Sequence, residues 1–277
     1  MTGPGGKNTK KSKAEIHTRT LRIIAISIFI ILAAQGIAAA GGPFGPPQPI
    51  AREAGGLHTA IGYWHHEDIY KNGAEFVTGQ DQVYSEAGYG AQNRWDIYGR
   101  IGVANLKIQD AFNSSSALTT ISNNDFDENW KFFGTLGAKL FYPFSKTFGM
   151  GAFVQGSYSF NSLKDDVSGA NGGTPYRAVL SVNDLWDVNF GIGFQATVPY
   201  GIRLYAGPYV YYSEATASLS TNVPGLQFST ADTTIKNKTN AGGFAGIDLP
   251  LGKGFRMNVE GQYSERLSAG GAITYTY

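Results

Sequence analysis

The chain has 277 residues, no cysteine, 37 glycines, 13% aromatic residues and only 16% charged residues, whereas soluble domains carry about 25% charge. The absence of cysteine excludes a disulfide framework, a thiolate metal site and a cysteine nucleophile. Six of the 22 Lys and Arg residues but only one of the 21 acids lie in the first 40 residues, which leaves 16 bases and 20 acids in the rest. This acidic balance argues against a nucleic-acid partner.

The first 40 residues have the pattern of a secretory signal peptide. A basic region ends at Arg22, an apolar run occupies residues 23–34, and the three small residues 38–40 (AAA) provide a cleavage site. The run has 12 residues, whereas a membrane-spanning helix needs about 20, so residues 1–40 are predicted to be removed on export. Residues 41–56 (GGPFGPPQPIAREAGG) are rich in Gly and Pro and are predicted to form a disordered lead-in.

From Leu57 onward, apolar and polar residues alternate in short stretches separated by turn signals, which is the pattern of β-strands. The clearest stretch places Trp130 and Leu136 on one face and Lys131 and Lys139 on the other. Ten strands are predicted, at about residues 57–66, 82–92, 95–108, 130–142, 147–160, 185–198, 202–212, 238–249, 255–263 and 267–277.

The connections between these strands alternate in length. Short gaps follow strands two, four, six and eight, whereas long polar gaps occupy residues 110–129, 161–176 and 213–237. Membrane barrels have short periplasmic turns and longer outer loops, and an even strand number places both termini on the periplasmic side. The sequence therefore predicts an all-β fold, a closed antiparallel up-and-down transmembrane β-barrel of about ten strands over residues 57–277.

The last strand, residues 267–277 (LSAGGAITYTY), alternates between two faces and ends on the aromatic Tyr277. Together with the secretion signal and the alternating strands, this ending resembles the small outer-membrane β-barrel proteins of Gram-negative bacteria, the OmpA-type and OmpX-type group. The resemblance implies contact with outer-membrane lipid and with the barrel-insertion machinery through Tyr277. The chain departs from that group in favouring ten strands over eight and in having no peptidoglycan-binding domain after the barrel.

The strand pattern places charged residues on the inner face of the barrel. Acids and bases nearly balance there, and because charges removed from bulk water must be paired, we expect ion pairs in a filled lumen. About eight strands give a filled barrel and 16 or more give a wide pore, so a narrow polar channel is the alternative. The predicted inner charges are Glu86, Asp96, Arg100, Lys131, Lys139, Asp187, Arg203, Lys238, Asp248, Arg256 and Glu260.

Aromatic residues near the strand ends are predicted to form two girdles at the level of the lipid headgroups. There an apolar ring is buried while its polar atom stays in water. The predicted girdle residues are Trp64, Trp95, Trp130, Tyr142 and Tyr277.

Two groups of residues invite a catalytic or metal-binding interpretation. His65 and His66 precede two acids, but neighbouring residues of a strand point to opposite faces, so both cannot reach one ion without a bend. Asp125 and Asp127 resemble the acidic pair of the omptin proteases, ten-stranded barrels with an outer catalytic site, but no histidine follows His66. No catalytic residue, metal site or cofactor is therefore expected, and the protein is not expected to be an enzyme.

Three functions remain for the predicted barrel. The favoured one is a structural or surface-interaction role, in which the long outer loops contact a ligand or partner. The alternative is a narrow porin for small solutes or ions, and the least favoured is an omptin-like enzyme with its site at the rim.

Overall fold

The computed structural model describes residues 42–50, 55–72, 74–111, 125–171, 174–221 and 232–277. Within these ranges the regular structure consists of β-strands and one short 3₁₀ turn, Pro199–Gly201, and no helix is long and apolar enough to cross a membrane. The strands are β1 (Gly56–Asn72), β2 (Ala74–Ala91), β3 (Trp95–Ile108), β4 (Phe126–Pro143), β5 (Phe148–Ser159), β6 (Leu163–Asn171), β7 (Thr174–Val198), β8 (Ile202–Thr221), β9 (Thr233–Asn237), β10 (Ala241–Gly252), β11 (Phe255–Tyr263) and β12 (Leu267–Thr276).

Ten of these strands form a closed antiparallel ring, in the order β1, β2, β3, β4, β5, β7, β8, β10, β11 and β12. The ring closes where β1 pairs with β12, from His58 opposite Thr276 to His65 opposite Ala269. Closure gives the first and last strands partners on both sides, so the ring has no free edge that would leave backbone groups unpaired. The predicted fold class is confirmed, and each predicted strand corresponds to one strand of the ring.

Two short strands lie outside the ring and were not predicted. Strand β6 forms a hairpin with the first part of β7, from Asn171 opposite Thr174 to Leu163 opposite Val182. Strand β9 bridges β8 and the far part of β1. Residues 67–81, predicted as a connection, instead continue β1 and β2 as one long hairpin.

The alternation of side chains explains why this ring suits a membrane. On β4 the apolar side chains of Phe132, Leu136 and Leu140 are 61%, 75% and 66% exposed, whereas Phe133 and Thr135 between them are buried. A barrel in water would carry polar residues on its outer face, whereas a barrel in lipid carries apolar ones there. The period of two predicted from the sequence is therefore present, with the apolar face outward.

The two ends of the ring differ. At one end, which we call the turn end, lie Gly56, Tyr277 and the short connections at residues 92–94, 144–147, 199–201 and 253–254. One of these turns is closed by the Arg94 N–H, which donates to the Ala91 carbonyl oxygen at 3.0 Å. The opposite end, the loop end, carries the long hairpin of β1 and β2 together with β6 and β9.

A hydrophobic core forms at the loop end of the barrel. Strands β6 and β9 pack there against the extended parts of the ring strands, and this burial of apolar area stabilises structure beyond the lipid-facing belt. We call this group the cap core, and its buried members are Tyr70, Leu106, Ile108, Phe126, Leu163, Val167, Ala178, Val182, Leu185, Ala215 and Ile235.

Candidate functional site in the barrel lumen

Residues 42–50, which we call the lumen segment, run through the interior of the ring. Phe44 is 0% exposed, and its ring stacks on that of Phe153 with the centroids 3.9 Å apart. The rings of Phe244 and Tyr209 meet it edge-on at centroid distances of 5.1 and 5.2 Å. Since offset-stacked and edge-to-face pairs are both favourable, these three rings from β5, β8 and β10 form an aromatic pocket for Phe44.

The backbone of the lumen segment is held by side chains of the barrel wall. The N–H groups of Phe44 and Gly45 each donate to the Glu260 carboxylate at 2.8 Å. The Gly42 carbonyl oxygen accepts from the Gln155 amide at 3.0 Å and from the Gln262 amide at 3.2 Å. These bonds satisfy backbone groups that would otherwise be buried without partners.

Glu260 is a buried carboxylate that lies among hydrogen-bond donors. Besides the two backbone N–H groups, it accepts from the Tyr205 hydroxyl at 2.9 Å and from the Gln262 amide at 2.9 Å. Four donors to one carboxylate offset the loss of hydration that its burial causes. Glu260, which was predicted as an inner charge, thus binds the backbone of the lumen segment.

Pro47 packs against two glycines of the barrel wall. Gly151 of β5 and Gly193 of β7 are directly paired. A Cβ atom on Gly151 would lie 2.8 Å from Pro47 Cβ, and one on Gly193 would lie 2.7 Å from Pro47 Cγ. Any larger residue at these positions would therefore collide with Pro47.

The far end of the lumen segment is held by polar side chains near the turn end. The Gln48 N–H donates to the Gln195 side-chain oxygen at 3.2 Å, and the Gln195 amide donates to the Gln48 side-chain oxygen at 2.9 Å. The Arg203 guanidinium donates to the Gln48 carbonyl oxygen at 3.3 Å. The segment thus rises along the wall from the level of Gln195 to that of Gln155.

The structure differs here from the disordered lead-in expected for residues 41–56. Residues 42–50 have a defined place inside the ring, whereas residues 41 and 51–54 lie outside the described residues. Gly and Pro content predicts the absence of regular structure, and indeed no residue of 42–50 belongs to a strand. The sequence signal that was missed is Phe44, a single large apolar side chain among small residues.

Four of the predicted inner charges lie in one cluster. The Arg100 Nε atom lies 2.6 Å from Glu86 Oε2. His58 lies between two acids, with Nε2 3.5 Å from Glu86 and Nδ1 3.8 Å from Asp96. His58 was not among the predicted residues, although the alternation of β1 sends its even-numbered side chains inward.

Aromatic rings complete this cluster by facing its cations. The Arg100 guanidinium lies 4.8 Å from the Tyr98 ring centroid and 5.0 Å from that of Tyr84. The Lys139 ammonium, the fourth predicted charge, lies 5.2 Å from the Tyr98 centroid. Such cation–π contacts are strongest where water is excluded.

A second cluster of predicted charges lies near the turn end. Asp248 is 0% exposed and lies 2.6 Å from Arg256 Nη2 and 3.7 Å from Arg203 Nη1. Arg256 also donates to the Gly201 carbonyl oxygen at 2.8 Å. One buried acid is thus shared by two bases, a geometry that offsets the cost of desolvating the acid.

Asp187 and Lys131 lie apart from both clusters. Asp187 is buried and accepts a hydrogen bond from the Asn189 amide. Lys131 is 35% exposed and lies 3.4 Å from the buried acid Glu128, three residues before it on β4.

Lys238 is placed differently from the prediction. Its ammonium lies 3.1 Å from Glu75 and 3.2 Å from Glu265 at the loop end, with 32% of the side chain exposed. Strand β10 begins at Ala241 rather than at residue 238, so Lys238 belongs to the connection before that strand.

The predicted aromatic girdle needs one correction. Tyr142, Tyr277 and Trp130 are exposed by 58%, 58% and 47%, and Trp95 is half-buried beside Tyr89 on the outer face. Trp64, in contrast, is 0% exposed and packs inside the ring with Tyr84, Ala104 and Phe133. Its even position on β1 points inward, and this alternation decides its environment more than its closeness to a strand end.

The histidines and acids considered for catalysis make separate contacts. His66 is buried and bonds to the Ser268 hydroxyl, whereas His65 lies 3.1 Å from Asp81. Asp125 accepts from the Asp110 N–H at 2.9 Å, and Asp127 lies 3.5 Å from Lys107. Within the described ranges, no group of three His, Asp or Glu side chains is placed to hold a metal ion.

Comparisons with known proteins give matches in structure but not in sequence. No protein-family profile matches the chain, and no curated sequence matches it. The chain is similar to the translocator domain of autotransporter NalP from Neisseria meningitidis, with 12% identity, 98% of each chain covered and a TM-score of 0.48. It is also similar to a COG4313 outer membrane channel from Pseudomonas putida F1, with 11% identity, 87% of this chain and 100% of that chain covered, and a TM-score of 0.42.

A third similar structure is the outer membrane protease OmpT from Escherichia coli, with 13% identity, 80% of this chain and 95% of that chain covered, and a TM-score of 0.40. The chain itself combines a closed ten-stranded ring, an apolar outer face and a polar interior. It therefore has the architecture of a small outer-membrane β-barrel, as its sequence resemblance implied.

Proposed function

We propose that this protein is an integral β-barrel of the bacterial outer membrane with a closed lumen, and that it acts as a structural or surface-interaction protein through its loop end. In this proposal residues 1–40 direct export and are removed, and the turn end with Gly56 and Tyr277 faces the periplasm. The barrel-insertion machinery recognises the last strand through Tyr277. The alternation of short and long connections supports this orientation.

The observation that best supports a closed lumen is the burial of Phe44 in its aromatic pocket. Ten strands enclose slightly more space than the eight that side chains alone fill, and the lumen segment occupies that extra space. Its Phe44 is fully buried between Phe153, Phe244 and Tyr209. In this proposal the cap core closes the loop end as well, so a solute would meet apolar packing at two levels.

The loop end supports a role in surface contact. Its strands carry ion pairs on their outer side, such as Arg177 with Asp166 at 2.7 Å and Lys236 with Glu214 at 3.2 Å. Because isolated exposed pairs add little to stability, we infer that these charges serve contact with a charged ligand or partner more than they serve the fold. These charged residues lie on strands β6, β7, β8 and β9 rather than in loops.

Conductance measurements test the closed lumen. The protein without residues 1–40, reconstituted in planar bilayers, should show no steady single-channel steps although its circular dichroism reports a folded β-sheet. Steady steps whose size scales with salt concentration would contradict the closed lumen and support the narrow porin. The charges that such a porin would use are those of Arg203, Asp248 and Arg256, which lie near the turn end.

Single-cysteine labelling tests the orientation, because the chain contains no native cysteine. Lys236→Cys lies at the loop end and Lys253→Cys in a turn, and both positions are exposed. In intact cells a membrane-impermeant maleimide should label the first variant only, and the second should react after the outer membrane is permeabilised. The reverse result would contradict the proposed orientation.

A further inference from the structure

We propose that the barrel lumen contains a peptide-binding site and that residues 42–50 occupy it as an intramolecular ligand. The ligand class is an extended peptide rich in Gly and Pro that carries one phenylalanine. The inference rests on the contacts of the lumen segment and does not depend on the role of the loop end. In this proposal the ring of ten strands is the receptor, and the lumen segment is a ligand that can be removed from it.

The ring is complete without its occupant. The closing pair of β1 and β12 and the other ring pairs are formed by backbone bonds between ring strands. The lumen segment belongs to no strand over residues 42–50, and its described backbone contacts with the wall go to side chains. Removal of the segment therefore leaves the ring's backbone hydrogen bonds in place.

Phe44 provides the main anchor. Its ring is 0% exposed, and the aromatic residues clustered around it belong to the wall rather than to the segment itself. Truncation of a buried phenylalanine weakens packing by about 3–5 kcal/mol, which is more than 100-fold in an equilibrium constant. A peptide without this side chain should lose most of its affinity.

The backbone conformation of Gly45 is the second feature that the site recognises. Its φ of +70° lies in the left-handed region that glycine adopts at little cost. Beside this turn, the two successive N–H groups of Phe44 and Gly45 both donate to the Glu260 carboxylate. The site therefore requires a residue other than proline at position 44 and favours glycine at position 45.

Pro47 is the third feature of the peptide that the site recognises. It lies on the paired Gly151 and Gly193, and its ring restricts the free peptide to extended conformations. Binding then costs less conformational entropy than it would for a flexible chain. The combination of Phe44, Gly45 and Pro47 gives the site a sequence preference of the form Phe-Gly-X-Pro.

The test measures binding of a separate peptide to the barrel. The probe is a synthetic peptide of residues 42–50 with a fluorescent dye at its carboxyl end, because Gln48 lies nearest the turn end and Gly42 lies deepest. Two receptors are refolded in detergent micelles, a chain that begins at Ala51 and the chain without residues 1–40 that carries Phe44→Ala. Fluorescence anisotropy should show saturable binding to both, and at least about 100-fold weaker binding to the unsubstituted chain, whose site is occupied.

Matched variants test the geometry of the site. The Phe44→Ala peptide should bind at least about 100-fold more weakly than the native peptide. Gly193→Ala in either receptor should abolish binding, because its Cβ would lie 2.7 Å from Pro47. Gly156→Ala, on the neighbouring strand β5, should leave binding unchanged, because its Cβ would meet atoms no closer than 3.4 Å.

The inference would be overturned by a failure of binding, by a loss of its specificity or by a failure of both receptors to fold. Folded receptors that bind no peptide, or that bind the native and Phe44→Ala peptides equally, would show that no specific site exists. Failure of both receptors to fold would show that the segment is an integral part of the barrel core. Conductance by the unsubstituted protein together with specific peptide binding would contradict only the closed lumen and leave the binding site standing.

Discussion

An arginine placed on the outer face of β4 provides a sharp test of the barrel and its register. Leu136 is 75% exposed and Leu140, four residues along the same strand, is 66% exposed. Both side chains belong to the apolar outer face, so an arginine at either position would enter lipid rather than the lumen. The two positions differ in depth, and the cost of a charged side chain in a membrane barrel depends on depth.

The depth of each position follows from the strand geometry. Twelve residues separate the outward-facing Trp130 and Tyr142, which at about 3.3 Å per residue and a tilt of about 40° gives about 30 Å along the membrane normal. This distance matches the hydrocarbon thickness of about 30 Å. Leu136 lies midway between the two aromatic residues, whereas Leu140 lies about 5 Å from the level of Tyr142 by the same geometry.

We therefore expect Leu136→Arg to lower the free energy of unfolding by about 2–4 kcal/mol and Leu140→Arg to lower it by about 0–1 kcal/mol. The measurement is reversible urea unfolding in lipid vesicles, followed by tryptophan fluorescence. Equal costs at the two positions would refute the proposed membrane level. Negligible costs at both would refute the assignment of this face to lipid.

Two further predictions concern the ring closure and the loop end. Gly270→Ala should destabilise the barrel by about 1–3 kcal/mol in the same assay, because its Cβ would collide with the Tyr63 carbonyl oxygen and lie 2.7 Å from Trp64 Cε3, whereas Gly261→Ala, with its nearest contact at 3.8 Å, should have little effect; equal effects would count against the close approach of β1 to β12 at this point of the closure. Asp166 accepts two hydrogen bonds from the Arg177 guanidinium, at 2.7 and 2.8 Å, which lower the pKa of Asp166. The contribution of this pair is present above the ordinary aspartate pKa and is lost as the pH falls through the lowered pKa, so an NMR titration of Asp166 should shift to higher pH in Arg177→Gln, and an unchanged titration would contradict the pairing.

The ring strands were predictable because local sequence and global fold agree in them. Each of these strands must present one face to lipid and one to the interior, so the period of two appears wherever the strand crosses the membrane level. Strands β6 and β9 escaped prediction because they lie beyond that level, where lipid no longer requires an apolar outer face. The sequence of β6, LKDDVSGAN, accordingly reads as a polar connection.

The lumen segment and Trp64 were mispredicted for different reasons. The order of the segment depends on contacts between residues far apart in the chain, such as Pro47 with Gly193, and a local pattern of Gly and Pro carries no information about them. Trp64 was assigned by its closeness to a strand end. Its parity, opposite to that of the exposed Ile61, indicates an inner position instead.

The wall of the barrel explains why an extended peptide fits inside it. Inward-facing aromatic rings lie over glycines of neighbouring strands, so that a Cβ at the glycine would come within 3 Å of a ring atom. A ring that covers a glycine lies flat against the sheet, as in the aromatic rescue of glycine in β-sheets, and projects less toward the axis. These pairs are Tyr84 over Gly62, Tyr98 over Gly137, Phe153 over Gly191, Tyr205 over Gly246 and Tyr209 over Gly242.

The slot for the lumen segment is therefore a property of the ring strands themselves. Ten strands set the width of the interior, and the flattened rings leave room in it for the lumen segment. Tyr205 and Gln262 then donate to Glu260 from within the wall, which holds its carboxylate in place for the two backbone N–H groups. A binding site preorganised in this way would lose little freedom when its ligand arrives, and this is the physical basis of the proposed preference for Phe-Gly-X-Pro.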